Sequence, residues 1–228
     1  MKNLKKNDYI KISVASILIL LLYISFAFRT PEDTKSKAED GDKNSQYELA
    51  QNYANGTDTI EQDYDEAIKW YTQAAEQGHT LSQFNLGVIY NAGEEVERDP
   101  FMAVKWWSKA AEKGYAPAQY NLGLMYDSGQ GVDRRNTDTA LQWWKKAADQ
   151  GLPDAMNSVG MYYEIGDDFA SKDYVNAYMW ISLAAERKQI DAMKEIYRLE
   201  ARMTPERVSE GKRLAQKWKE AHPKANKQ

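Results

Sequence analysis

The chain reads as all-α: a solenoid of stacked helical hairpins, preceded by one apolar N-terminal helix. Two repeating patterns carry that reading. Residues 67–78 are AIKWYTQAAEQG, 103–114 are AVKWWSKAAEKG, 140–151 are ALQWWKKAADQG and 177–188 are AYMWISLAAERK, so the leading alanines return every 36 or 37 residues. A period of this length is the mark of stacked two-helix repeats. The second pattern, Leu-Gly-x-x-Tyr, alternates with the first at the same spacing. A third observation sets the ends apart: residues 12–28, ISVASILILLLYISFAF, carry no charge and lie outside the period.

That apolar run follows Lys2, Lys5, Lys6 and Lys11. As a helix it is about 26 Å long, enough to cross a thin bilayer, and the stem of Lys11 extends it. The expectation for residues 1–28 is a basic cytoplasmic stub and a transmembrane anchor. A cleavable signal is the alternative, because Ser25 and Ala27 place small residues before a cut after Ala27. Against cleavage, the run is long for a signal and Tyr23, Phe26 and Phe28 crowd the site. Four basic residues precede the span and three follow it, mixed with acids, which sets the N-terminus in the cytoplasm and the repeats outside, in the periplasm of a bacterium. Residues 29–43, RTPEDTKSKAEDGDK, hold too few apolar side chains to order themselves and are expected to be a disordered charged linker.

Residues 44–192 then hold four repeats. In each, helix A presents Leu86-Gly87 with Tyr90, Leu122-Gly123 with Tyr126, Val159-Gly160 with Tyr163, or Leu49-Ala50 with Tyr53. A mid-helix glycine costs about 1 kcal/mol against alanine, so its return at 87, 123 and 160 implies close approach of a neighbouring helix, under a helix B aromatic. Gly56, Gly93, Gly129 and Gly166 follow each tyrosine by three and end helix A. Asp63, Asp99, Asn136 and Asp173, four before each leading alanine, are N-cap residues for helix B. Asp63 with Glu66 resembles a capping box, and Pro100 suits a first helical position. Helix B carries an adjacent pair, Trp70-Tyr71, Trp106-Trp107, Trp143-Trp144 or Trp180-Ile181, and then two alanines. Neighbouring side chains diverge by about 100°, so one member can pack within its repeat and the other against the next. Capping helices are expected over 193–221, the last starting at Thr204-Pro205, and a disordered tail over 222–228.

The A-x-x-L-G-x-x-Y-x-x-G and W-[YW]-x-K-A-A-x-x-G patterns resemble Sel1-like repeats, relatives of the tetratricopeptide repeat with a longer inter-helix loop. The resemblance covers about residues 46–192. It implies a right-handed superhelix of helical hairpins and a role as an adaptor in protein assemblies, often in bacterial envelopes or the endoplasmic reticulum. Some secreted relatives staple each repeat with a disulfide; this chain has no Cys and departs from that branch.

Composition narrows the chemistry. Net charge is −4; the first 28 residues carry +3, leaving −7 for the remainder, and an acidic body argues against nucleic acid, which needs a basic stripe. Without Cys there is no disulfide framework, thiolate metal site or thiol nucleophile. His79 falls in an inter-repeat turn and His222 in the tail, with no Ser or Asp constellation, so no catalytic residue is assigned. The acidic loops Glu94-Glu95-Val96-Glu97 and Asp167-Asp168 lack the alternating spacing of a calcium loop and read as solvated charge. No metal or cofactor is expected.

One row is a candidate binding element. Asn85, Asn121 and Asn157 recur at 36, immediately before or two before the Leu/Val-Gly step. By the resemblance, helix A lines the inner groove, where a row of amides could bond an extended peptide; the competing reading is that these amides bridge repeats. The expected function is a membrane-anchored adaptor for a protein or peptide partner. An envelope enzyme accessory or a cell-wall glycan-binding subunit is the alternative, and most aromatics falling on the repeat period speaks against it.

Overall fold

A computed structural model describes residues 31–94, 96–166 and 172–225. Eleven helices and no strand are found among them. The chain divides into two compact units, Met1–Ala74 and Ala75–Gln228. The first contains α1 (Pro31–Glu39), α2 (Lys43–Asn55) and most of α3 (Tyr64–Glu76). The second contains α4 (Thr80–Ala92), α5 (Pro100–Glu112), α6 (Ala116–Ser128), α7 (Thr137–Ala148), α8 (Pro153–Ile165), α9 (Tyr174–Glu186), α10 (Ile190–Glu200) and α11 (Pro205–Ala221). Thus α2, α4, α6 and α8 are the A helices of the repeats, and α3, α5, α7 and α9 are the B helices. Among the described residues no helix is long and apolar enough to cross a membrane; the anchor expected over 1–28 lies outside them.

The segment expected to be a disordered linker is helical over Pro31–Glu39. The reason is a pair of small side chains the composition hides: Thr34 and Ala38 are buried, and α1 packs against α2. The amide of Gln46 donates to the Ala38 carbonyl at 3.1 Å, and Asp42 caps α2 by accepting from the Ser45 N–H at 2.8 Å. Gln46 also meets Gln73 of α3 at 3.3 Å, and Tyr47 packs against Tyr71.

The residue spaced to cap helix B does so in every repeat. Asp63, Asp99, Asn136 and Asp173 accept from the N–H three residues on, at 3.0, 3.0, 2.9 and 3.0 Å. Their own N–H groups donate to Tyr53, Tyr90, Tyr126 and Tyr163, which closes each inter-helix loop on the tyrosine of the Leu-Gly-x-x-Tyr pattern. Glu66 does not complete a capping box: its carboxylate is turned forward to Lys69 and to the Trp70 indole.

In the second unit the helices interlock through the mid-helix glycines. A Cβ placed on Gly87 would stand 2.4 Å from the Trp107 ring, and one on Gly123 2.4 Å from the Trp144 ring. Carbon atoms attract best at about 3.5–4.0 Å, so only a bare glycine admits the indole. Gly160 seats Ile181 in the same way. The partner is always the second member of the helix B pair. A glutamine recurs within the second unit: Gln83 and Gln119 donate to the carbonyls of Ala75 and Ala111, eight residues earlier, at 2.9 and 3.1 Å.

The stack ends differently. In place of a hairpin partner for α10, helix α11 packs on α9, where Trp218 meets Trp180 at 5.8 Å; Tyr178 of α9 donates to Glu200 at the end of α10 at 2.7 Å. Thr204 caps α11 and Pro205 opens it, as their sequence dictates. α10 is latched to α8 by the buried Glu164 carboxylate, which receives Arg198 and Arg202. The described part of the expected disordered tail is packed: His222 stacks on Trp218 at 4.4 Å, and Ala225 is buried and accepts from Arg187.

Candidate functional site

Helix charge marks out one surface of the second unit. The sequence of α4 has no charged residue, α6 has only Asp127, and α8 has Asp154 and Glu164. On each of these helices a polar residue lies three positions before an exposed apolar one: Asn85 and Val88, Asn121 and Leu124, Ser158 and Met161. Residues three apart share a helix face. Val88, Leu124 and Met161 are 41, 41 and 43% exposed, in contrast to the buried glycine that precedes each. The result on each A helix is an uncharged strip with one hydrogen-bonding group and one apolar contact.

The structure separates the three asparagines expected to form one row. Asn85 and Asn121 hold equivalent places, half-buried, and among the described residues neither amide has a hydrogen-bond partner. Asn157 is one residue out of register, because the step between repeats is 37 there and not 36. It stands where Phe84 and Tyr120 stand in the preceding repeats, is 7% exposed, and its Oδ1 has no partner. Its Nδ2 faces only the Met161 sulfur, at 3.7 Å. Ser158 takes the third place in the row. The Tyr120 hydroxyl bonds Ser158, and burial, with Asp154 nearby, raises the tyrosine's pKa.

His79, expected in a turn, caps α4 through Nδ1 to the Ser82 N–H at 3.2 Å. Glu95 and residues 167–171 of the two acidic loops lie outside the described residues. Among the described residues no group of three or more His, Asp or Glu side chains is placed to hold a metal ion. An open cleft of about 560 Å³ in the first unit is lined by Glu32, Lys35, Tyr53, Ile60 and Asp63, with mixed charge.

Two rows escaped the sequence reading. The glutamines at 83 and 119 were visible at the repeat spacing, but their long-range acceptors were not. The side chains just before the helix B caps form another: Gln62, Arg98 and Arg135 reach back to the carbonyls of Ala54, Asn91 and Asp127.

Stacked helical hairpins with uncharged A-helix faces define a helical repeat protein of the interaction-scaffold class. Sel1 repeats match residues 43–79, 80–115, 116–152 and 153–188. The chain belongs to the Sel1 repeat family. It is similar to c5321, a protective antigen of uropathogenic Escherichia coli with an SLR fold, at 34% identity and TM-score 0.75, over 85% of this chain and 41% of that one. The chain thus spans well under half of that antigen. It is also similar to a Sel1 repeat protein of Oxalobacter formigenes, at 41% identity and TM-score 0.54, over 58% of this chain and 98% of that one. No curated protein matches it.

Proposed function

We propose that the chain is a membrane-tethered adaptor whose repeats face the periplasm and hold an extended segment of a partner protein against the A helices of the second unit. The observation that carries this reading is the free pair of amides, Asn85 and Asn121, each beside an exposed apolar side chain on an uncharged helix face. An extended strand offers backbone donors and acceptors to amides, and alternate side chains to the apolar positions. Burial of Trp70, Trp106, Trp107, Trp144, Trp180 and Trp218 favours this over glycan binding, which needs aromatic faces in solvent. The tether and its orientation rest on the apolar run at 12–28 and the lysines before it.

The test is a photo-crosslinking amino acid placed in cells at Leu124, or at exposed Gln142 on the B helix α7, in the full-length protein. Discrete adducts from Leu124, lost on Asn121→Ala with the protein still folded, are expected. Equal adducts from Gln142, or none from Leu124, contradict the assignment. Protease added to spheroplasts should remove the repeats while the membrane-bound stub survives; full protection contradicts the orientation.

A further inference from the structure

The first repeat ends its helix A on a dipeptide that the others lack. The residue before each capping glycine is Asn55, Ala92, Ser128 or Ile165. Asn55-Gly56 is the single place in the chain where glycine follows asparagine. Asn55 is exposed and is the last residue of α2. The glycine after it is also held differently. Gly93, Gly129 and Gly166 donate their N–H groups to the carbonyls of Ile89, Met125 and Tyr162, at 3.2, 2.9 and 3.0 Å. Gly56, at φ +69° and ψ 155°, donates to no group among the described residues. The Asn55 carbonyl and side-chain amide likewise have no hydrogen-bond partner among the described residues.

An asparagine side chain and the next backbone nitrogen are one bond short of a five-membered ring. Closing it needs a nitrogen free to lose its proton, a following residue with no Cβ to crowd the attack, and a peptide unit able to leave the helical ψ. Gly56 supplies the first two. The third follows from the unbonded peptide: turning it breaks no hydrogen bond, and glycine accepts the new φ. We propose that Asn55 is a site of spontaneous modification. The Gly56 nitrogen, its proton passed to solvent base, bonds to Asn55 Cγ. The Cγ–Nδ2 bond breaks, and Nδ2 takes a proton from water and leaves as ammonia. Water then opens the ring. Breaking the new N–Cγ bond leaves an aspartyl residue. Breaking the bond from the nitrogen to the Asn55 backbone carbonyl carbon leaves an isoaspartyl residue, with the chain routed through the side chain. The sum consumes water and releases ammonia, with no oxidant or cofactor.

The change falls in a fastened loop. The Tyr53 and Ala54 carbonyls accept from the Asp63 N–H at 2.9 Å and the Gln62 amide at 2.8 Å. On the other side, the Thr57 N–H donates to Ile60 at 2.8 Å. An isoaspartyl linkage inserts an extra backbone carbon between these fixed points. Either product also places a negative charge at a helix C-terminus, where the helix dipole disfavours it, beside a loop that already carries Asp58, Glu61 and Asp63. The loop that closes the first hairpin therefore loosens as the protein ages.

The test holds full-length protein at mildly alkaline pH, folded or in urea. Residues 44–69, which trypsin releases by cutting after Lys43 and Lys69, are then followed by mass spectrometry with the aspartyl and isoaspartyl forms separated. Position 55 should convert at least tenfold faster than Asn44 or Asn52 of the same peptide, with isoaspartate among the products. The folded rate should lie within tenfold of the rate in urea. A smaller advantage over Asn44 or Asn52, aspartate without isoaspartate, or more than tenfold protection by the fold overturns the proposal. Cleavage after Glu61 by a glutamyl endopeptidase should be at least threefold faster in aged than in fresh protein. Ageing should leave that rate unchanged in Asn55→Ala, which copies Ala92 of the second repeat. Equal cleavage of aged and fresh wild type, or the same acceleration in Asn55→Ala, overturns the loosening.

Discussion

The third repeat and the end of the stack use one register for opposite purposes. At Gly123 the missing side chain admits Trp144; at Tyr197, the equivalent place on α10, a large ring points to solvent. The inter-repeat turn changes likewise. Gly78, Gly114 and Gly151 hold φ of +83, +87 and +96°, and Lys188 holds +63° in their place. The buried glutamines become Met156 and the exposed Met193. The repeat pattern therefore records docking more than helix formation. α10 is as helical as α6 without it, and what it lacks is the means to receive another hairpin.

Several substitutions break or sharpen that contrast. Trp144→Ala should cost most, about 3–5 kcal/mol, because it empties the seat between α6 and α7; urea denaturation measures it. Gly123→Ala should cost roughly 1–3 kcal/mol net, the overpacking outweighing the gain in helix propensity. The equivalent change at the end, Tyr197→Ala, should shift stability by less than about 0.5 kcal/mol. Lys188→Gly should raise stability by about 1 kcal/mol by relieving the left-handed backbone, seen as a higher Tm. Alkaline titration probes the capped end: burial first, then the bond to Glu200, raises the Tyr178 pKa above its ordinary value. A group held neutral in the fold supports stability below its unfolded pKa near 10 and loses it as pH rises further. Tyr178→Phe should blunt the loss of stability above about pH 10.

Much of this was legible in the sequence because the repeat reports its own geometry. The period placed the hairpins, Asp99 and Asn136 marked helix starts, and the costly glycines at 87 and 123 announced the rings that cover them. What escaped depended on contacts without a compositional signal. Thr34 and Ala38 order a segment whose charge argues for disorder, since two small residues suffice when α2 lies alongside. Ala225 and His222 pack because Trp218 and Arg187 reach them. Asn157 was misplaced by a single-residue change in the period, and one position on a helix turns a side chain by about 100°, from the open face into the core. Glu164, the buried latch, looked like any surface carboxylate until Arg198 and Arg202 were brought to it.

The most direct measurement of the docking account is the stability change of Gly123→Ala in two backgrounds, wild type and Trp144→Ala. With the indole present the new methyl should destabilise by roughly 1–3 kcal/mol. With the indole removed it should be neutral or stabilising by up to about 1 kcal/mol, since alanine is the better helix former and the space is free. A reversal of sign is the predicted result. The same cost in both backgrounds would contradict the account, because glycine would then be required by the helix itself and not by the ring it seats.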